Sequence, residues 1–146
     1  MSPTAPDIGI IVPTIDEAAR IGGLLRYLRW AAGINNQSVE LIVVDGGSQD
    51  DTRDIARAAG ADQVLSASRG RARQLNAGAA AAASPVLYFL HADARPDPDF
   101  LSHIAAAIAG GLGCGCLRLR FVDPPAVLRF HSWLVRLRWL MVRFGD

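Results

Sequence analysis

The chain has 146 residues, of which 51% are apolar and 20% charged, and its formal net charge is +1. This length fits a single domain, and so apolar a composition excludes an intrinsically disordered protein. No apolar run reaches the roughly 20 residues that a membrane-spanning helix requires. So small a net charge creates no overall field that would attract nucleic acid. We therefore expect one globular domain over residues 1–146, with residues 1–7 flexible and no nucleic-acid partner.

The N-terminus and the two cysteines bear on the cellular compartment. The first residues have neither the basic start nor the apolar centre of a secretory signal, so we expect a cytoplasmic protein. Cys114 and Cys116 stand two apart on a predicted strand, where a disulfide between them would be strained. One such pair is weak evidence for zinc, and we expect plain thiols.

Apolar runs alternate with helical patterns along most of the chain. Short continuous apolar runs are typical of buried strands, and apolar residues three and four apart are typical of helices. In chain order we predict a strand at 8–12, a helix capped by Thr14 or Asp16 and ended by Gly33 and Asn35-Asn36, a strand at 41–44, a helix at 51–59, a weak strand at 63–65, a helix at 71–83, a strand at 86–90 and a helix at 99–108. This alternation predicts an α/β fold with a mainly parallel sheet and helices on both faces.

After Gly110 and Gly111 the pattern changes. Apolar residues at 117, 119 and 121 alternate with arginines, which predicts a strand with one polar face. Residues 126–146 are predicted to form one apolar and basic helix, with more apolar surface than a single narrow stripe. We expect this C-terminal helix to mediate self-association, in preference to peripheral contact with a membrane.

Two acidic residues stand at the ends of predicted strands, where ligands bind in α/β sheets. Asp45 directly follows the strand at 41–44, and it could accept hydrogen bonds from a base or a ribose, or cap the turn at Gly46. Asp93 follows the strand at 86–90 and offers the oxygen ligand that magnesium and manganese prefer. His91 is a candidate second ligand, better suited to manganese, with a structural role as the alternative.

Arginines crowd the turn before the Ala-rich helix at 71–83. Arg69, Arg71 and Arg73 stand two apart, at the point where a helix N-terminus and guanidinium groups could together meet phosphates. A solvated helix face is the alternative. We expect phosphate contact here because two acidic strand ends are predicted nearby.

Four segments share their order and spacing with family 2 glycosyltransferases. They are Ile11-Val12-Pro13-Thr14-Ile15-Asp16-Glu17, Val43-Val44-Asp45-Gly46-Gly47-Ser48, Gly70-Arg71-Ala72-Arg73-Gln74-Leu75-Asn76-Ala77-Gly78 and Phe89-Leu90-His91-Ala92-Asp93. The chain resembles this family over residues 8–146. It is most similar to the radical-SAM/selenodomain-associated transferase 2 subgroup, which shares the His-Ala-Asp and Gly-Arg-Ala-Arg-Gln segments.

The resemblance implies a glycosyltransferase A-type fold, a UDP- or GDP-type nucleotide-diphospho-sugar donor and a divalent metal. Residues 13–17 resemble the family's first nucleotide-binding turn, and Asp45 resembles the carboxylate that reads the base. Asp93 resembles the second acid of the D-x-D motif, which meets metal and diphosphate, and His91 replaces the first acid. The implied donor-binding residues are Pro13, Thr14, Ile15, Asp16, Glu17, Asp45, Gly46, Arg71, Arg73, Ala92 and Asp93, with Asp93 and His91 as metal ligands.

The resemblance also bears on catalysis. Relatives continue beyond the Gly-Asp that aligns with Gly145 and Asp146 into an acceptor-binding half, which holds the family's catalytic base. We therefore expect the base beyond Asp146 and predict a metal-assisted, hexosyltransferase-type glycosyltransferase. A donor-binding module or inactive fragment without that base is the first alternative. A nucleotidyltransferase is the second, although the Gly-rich signature loop usual in that class is missing from residues 13–17.

Overall fold

The structure, a computed structural model, describes residues 7–117. The chain divides after Gly111 into two compact units, and every described helix and strand belongs to the first. Residues 112–117 have no regular secondary structure, so the strand predicted around Cys114 and Cys116 is wrong for these residues. Both cysteines are free thiols, as predicted, and both are exposed. The remainder of that predicted strand, the predicted helix at 126–146 and residues 1–6 lie outside the described residues.

Strands and helices alternate along the first unit. The elements are β1 (Ile8–Thr14), α1 (Ala18–Asn35), β2 (Val39–Asp45), α2 (Thr52–Ala58), β3 (Gln63–Ser66), α3 (Arg71–Ala81), β4 (Val86–Phe89) and α4 (Phe100–Ala109). The predicted α/β alternation is confirmed, with bounds that shift by a few residues. None of the helices between residues 7 and 117 combines the length and the apolar character that crossing a bilayer demands.

The four strands form one parallel sheet in the order β3-β2-β1-β4. Thr14 lies opposite Asp45, and Ile11 lies opposite Phe89, so the carboxyl ends of β1, β2 and β4 share one edge of the sheet. This edge is where parallel α/β sheets bind ligands.

Strand β1 continues through Pro13, where the sequence predicted its end. Proline lacks a backbone N–H and is tolerated in a sheet only where no partner needs that donor. The carbonyl of Ile11 accepts from the N–H of Leu90, so alternate residues of β1 face β4 on this side. Because the pairing of β1 with β4 ends at Ile11, the missing donor of Pro13 breaks no ladder bond.

Helices cover both faces of the sheet. Side chains of the two central strands alternate between a larger cluster, which contains Ile10 and Val43, and a smaller one formed by Ile11, Ile42 and Val44. Helix α1 packs in the larger cluster and α3 in the smaller one. Burial on both faces explains why the central residues of these strands, 8–12 and 41–44, are short apolar runs in the sequence.

Helix α1 differs from its prediction at its N-terminal end, and it ends within the predicted segment that contains Gly33, Asn35 and Asn36. It begins at Ala18 after Glu17, with no capping bond from the Glu17 side chain, and neither Thr14 nor Asp16 occupies the cap position. It then continues through Gly33 to Asn35, and the left-handed residue that ends it is Asn36, with a φ of 51°. The partners that satisfy its first amides come from another loop, described below.

Helix α3 lies unusually close to the sheet at Gly78. A methyl group at this position would stand 2.5 Å from Cγ2 of Ile11 and 3.1 Å from Cγ2 of Val44. Both neighbours are fully buried and have no room to retreat. Glycine at position 78 therefore sets how closely α3 approaches the sheet, and with it the place of the helix N-terminus at the carboxyl edge.

Candidate functional site

A cleft of about 370 Å³ opens at the carboxyl edge of the sheet. Its walls come from the loop after β1, the start of α3 and the end of β4. The lining residues are Pro13, Thr14, Ile15, Glu17, Arg69, Gly70, Arg71, Gln74, His91, Ala92 and Asp93. Three of the four sequence segments singled out above thus meet at one place, and we call this place the carboxyl-edge cleft.

The first wall is the β1–α1 loop, residues 15–17. Asp16 adopts a left-handed backbone conformation with a φ of 53°, which turns the chain sharply from the strand into α1. Glu17 directs its carboxylate to the guanidinium of Arg20 at 3.0 Å and keeps about a quarter of its side-chain surface exposed. This loop therefore brings an acid and a short run of backbone to the cleft.

The second wall is the start of α3, which buried Gln74 anchors to the sheet. The Gln74 side-chain amide donates to the carbonyl of Thr14 at 2.9 Å and to that of Val44 at 2.8 Å. Both carbonyls lie at strand ends, so one side chain joins β1, β2 and α3. Arg71 stands one helical turn earlier and lines the cleft with Arg69. Sequence reasoning missed Gln74, although its spacing to Gly78 places both residues on the sheet-facing side of the helix.

The absence of a side chain at Gly46 leaves room for the Gln74 amide to reach the strand ends. A methyl group on Gly46 would stand 2.9 Å from the amide carbon and nitrogen of Gln74, and 2.9 Å from Cγ1 of Ile15. Glycine here serves packing between the β2 end and α3, because nothing larger fits beside the Gln74 amide.

The third wall is the end of β4. His91 and Asp93 are exposed and line the cleft, with buried Ala92 between them. The following residues are tied to α1: the Tyr27 hydroxyl donates to the carbonyl of Pro96 at 2.5 Å, and the guanidinium of Arg95 lies 4.5 Å from the Tyr27 ring centre. These ties fix the position of the loop that carries Asp93.

The charges that line the carboxyl-edge cleft are of both signs. Arg69 and Arg71 offer guanidinium groups of the kind that bind phosphates, and Glu17 and Asp93 offer carboxylates. Within residues 7–117, no group of three His, Cys, Asp or Glu side chains is arranged to hold a metal by itself. Magnesium and manganese are commonly held by one or two carboxylates together with phosphates of the ligand, so Asp93 fits such an ion without a complete protein cage.

Four predicted site residues do not line this cleft: Asp16, Asp45, Gly46 and Arg73. Asp45 is 1% exposed, and its carboxylate accepts from the backbone amides of Gly47 and Ser48 and from the Ser48 hydroxyl. The structure thus shows the turn-capping role among the two alternatives considered for Asp45, and contact with a base stays a prediction. Arg73 is exposed on α3, two residues beyond Arg71, outside the lining.

The loop after β2 is joined to the start of α1 by Asp50. Its carboxylate accepts from the backbone amide of Ala18 at 3.1 Å, from the amide of Thr52 at 3.0 Å and from the Thr52 hydroxyl. Asp50 thus satisfies the first amide of α2, at Thr52, and also the first amide of α1, at Ala18. The hydrogen bond from the Thr52 hydroxyl is the main reason that the Asp50 pKa lies below the usual aspartate value, and the two amides add to it.

This lowered pKa predicts that the stabilising hydrogen bonds of Asp50, which connect the loop after β2 to the start of α1, are lost in acid. A lowered pKa in the folded state means that the contribution of Asp50 to stability is complete above the ordinary aspartate pKa of about 3.9 and is lost as the pH falls through the lower folded value. Carboxyl carbon NMR should show Asp50 titrating below that ordinary value, and Asp50→Asn should flatten the part of the stability curve that lies below the ordinary aspartate pKa. An Asp50 carboxyl that titrates at the ordinary value would contradict the prediction.

Comparison with known proteins gives a family and a fold. The sequence model of the family described as Glycosyl transferase family 2 matches residues 9–143. The comparison with curated proteins gave no match.

One similar solved structure is glucosyl-3-phosphoglycerate synthase from Mycobacterium tuberculosis, in a complex with Mn²⁺, UDP and glucosyl-3-phosphoglycerate. It is 27% identical to this chain, with a TM-score of 0.59, and the match covers 70% of this chain and 39% of that one. Mannosyl-3-phosphoglycerate synthase from Rubrobacter xylanophilus is 18% identical with a TM-score of 0.62, over 70% of this chain and 36% of that one. TarS from S. aureus is 24% identical with a TM-score of 0.59, over 71% of this chain and 32% of that one. The last two show the fold alone. The chain spans about a third to two fifths of the length of these structures.

Proposed function

The chain belongs to glycosyl transferase family 2, and from this premise we propose that it transfers a hexosyl group from a nucleotide-diphosphate sugar to an acceptor hydroxyl with the help of a divalent metal. The observation that carries the proposal is the convergence in one cleft of the β1–α1 loop, Arg71 at the start of α3 and Asp93 at the end of β4. Family membership leaves the nucleotidyltransferase alternative without support.

The donor diphosphate is the part of the substrate that this cleft suits best. Arg71 and Arg69 can each present a planar pair of N–H donors to phosphate oxygens, at the N-terminus of α3 where the helix dipole also favours negative charge. Asp93, with His91 as a second candidate, would hold magnesium or manganese from the opposite wall. Such an ion, when bound, would stabilise the negative charge on the departing diphosphate.

The nucleoside is assigned to the side of the cleft formed by residues 13–17. Pro13, Thr14, Ile15 and Glu17 line it, and Glu17 can accept hydrogen bonds from ribose hydroxyls. For Asp16, Asp45 and Gly46 we propose a role in shaping the two loops behind this wall. The complexes of the M. tuberculosis enzyme with UDP and with Mn²⁺ or Mg²⁺ support the choice of donor and metal.

Nucleotide titration tests the proposal. We expect UDP or GDP to bind in the presence of manganese, and EDTA to weaken the binding measured by calorimetry. Arg71→Ala should reduce affinity by about tenfold, because a charge-assisted hydrogen bond contributes about 1.5 kcal/mol or more. Arg57→Ala removes an exposed arginine on α2 that is paired with Asp54 and does not line the cleft, and it should leave binding unchanged. Absence of binding by both nucleotides would refute the proposal.

Several finer predictions accompany it. Release of the sugar on addition of acceptors would identify a transferase, and binding without release would favour the donor-binding module. The similarity to the radical-SAM/selenodomain-associated subgroup stays a prediction, supported by the segments at 70–74 and 91–93. The cytoplasmic location, the self-association and the identity of the catalytic base also stay predictions.

A further inference from the structure

The backbone of the β1–α1 loop is held almost entirely by side chains of a different loop. Three consecutive amides donate to side chains of residues 48–52, which form the loop after β2 and the first residue of α2: Asp16 to Oγ of Ser48 at 2.9 Å, Glu17 to Oγ1 of Thr52 at 2.8 Å, and Ala18 to Oδ2 of Asp50 at 3.1 Å. The first amides of a helix have no acceptor within that helix and need partners elsewhere. Asp50 supplies the partner of the first amide of α1, at Ala18, and Ser48 and Thr52 bind the two amides that precede the helix.

A hydrogen bond in the opposite direction also joins the two loops and fixes their position relative to each other. The carboxylate of Asp16 accepts from the backbone amide of Gln49 at 2.7 Å. The left-handed conformation of Asp16 is what points its own N–H and its side chain toward the same loop. Non-glycine residues adopt this conformation at a cost, so the bonds around Asp16 offset strain as well as joining the loops.

The acceptors are themselves immobilised. Thr52 is completely buried, and its hydroxyl donates to Asp50 while accepting from Glu17. Ser48 is 8% exposed, and its hydroxyl donates to Asp45 while accepting from Asp16. Each hydroxyl therefore links a carboxylate of the β2–α2 loop to an amide of the β1–α1 loop, which no residue without a hydroxyl of this size could do.

We propose that Thr52 and Ser48 are positioning residues of the carboxyl-edge cleft, which hold the wall formed by residues 15–17 in the geometry that receives the donor. The inference rests on the proposed function for the identity of the ligand. Neither residue lines the cleft, so both act through the amides of Glu17 and Asp16.

Two substitutions at position 52 separate positioning from simple packing. Thr52→Val keeps the shape of the side chain and removes the acceptor, so the Glu17 amide loses its partner. Amide hydrogen exchange at Glu17 should then accelerate by about tenfold, the size expected for the loss of one part-buried hydrogen bond, and the Kd of the manganese–UDP complex should rise by a similar factor. Thr52→Ser keeps the acceptor and loses a buried methyl group, so it should lower global stability while leaving both readouts near wild type.

Thr52→Val and Thr52→Ser distinguish a packing role of Thr52 from a positioning role. If Thr52 only packs, nucleotide affinity will follow global stability, measured by urea unfolding, in both variants. If it positions the loop, affinity will fall in Thr52→Val and not in Thr52→Ser. Ser48→Ala provides a second test that does not depend on position 52: exchange should accelerate at Asp16.

Unchanged exchange at Glu17 in Thr52→Val, or at Asp16 in Ser48→Ala, overturns the inference. If the wild-type chain binds neither UDP nor GDP, the proposed function fails, and the exchange measurements alone decide whether the loop is positioned in this way.

Discussion

Asp93→Ala is expected to lower the manganese-dependent affinity for UDP or GDP by about a hundredfold, or about 3 kcal/mol, because the substitution removes the carboxylate that would hold the metal between protein and diphosphate. Asp93 is exposed, so its loss should leave the fold and the urea midpoint unchanged. The measurement is calorimetric titration with nucleotide at fixed manganese, repeated in EDTA. Wild type and variant should bind with the same weak affinity once the metal is removed.

The neighbouring loop offers a matched control. Asp97 is also exposed and lies four residues further along, but it does not line the cleft. Asp97→Ala should therefore bind nucleotide like the wild type, which excludes a general effect of lost negative charge. His91→Ala should weaken manganese binding more than magnesium binding if its imidazole is a second ligand. Manganese-dependent affinity that survives Asp93→Ala would refute the metal role of this residue.

Gly78→Ala is expected to lower the free energy of unfolding by about 2 kcal/mol, since the added methyl would overlap Cγ2 of Ile11 at 2.5 Å. The helix propensity of alanine favours the substitution by about 1 kcal/mol, and the expected loss is what remains after this gain. Because α3 must move away from the sheet, Arg71 should shift with it and nucleotide binding should weaken. Urea unfolding gives the stability, and the titration described above gives the affinity.

Gly23→Ala is the control for this substitution. Gly23 lies in helix α1, and a methyl group there would meet no atom within 4 Å. The same chemical change should therefore stabilise the protein by up to about 1 kcal/mol. A Gly78→Ala variant as stable as the wild type would show that α3 can move from the sheet at little cost, and would contradict the close packing described here.

The strands of the sheet could be predicted because burial requires apolar side chains, and these are visible as short apolar runs in the sequence. β1 and β2 are covered on both faces, so their central residues, 8–12 and 41–44, are short apolar runs, and the residues that follow these runs lie at the ligand-binding edge. Asp93 was placed at the same edge because it follows the apolar run that forms β4, the parallel neighbour of β1. The sequence alone could not decide the role of Asp45, because a carboxylate that caps its own turn and a carboxylate that binds a ligand can both directly follow a strand.

The features that sequence reasoning missed depend on contacts between distant residues. Glu17 and Thr52 are 35 positions apart, and no periodicity connects them. Thr14 and Asp16 are good local candidates for the cap of α1, but a second loop satisfies the amides instead. The strand continues through Pro13 for a similar reason, since only the pairing with β4 shows that no donor is needed there.

The close packing of Gln74 on Gly46 limits how the cleft can change over evolution or by design. The Gln74 amide occupies the space that any side chain at position 46 would need, and Ile15 closes the same space from the β1–α1 loop. Residues this close couple in their mutational effects. A larger residue at position 46 would be accommodated only with a shorter one at position 74, and that exchange would release the strand ends from α3. Altered donor preference should therefore be sought in the lining side chains of Ile15, Glu17 and residues 91–93, with positions 46 and 74 changed together or left alone.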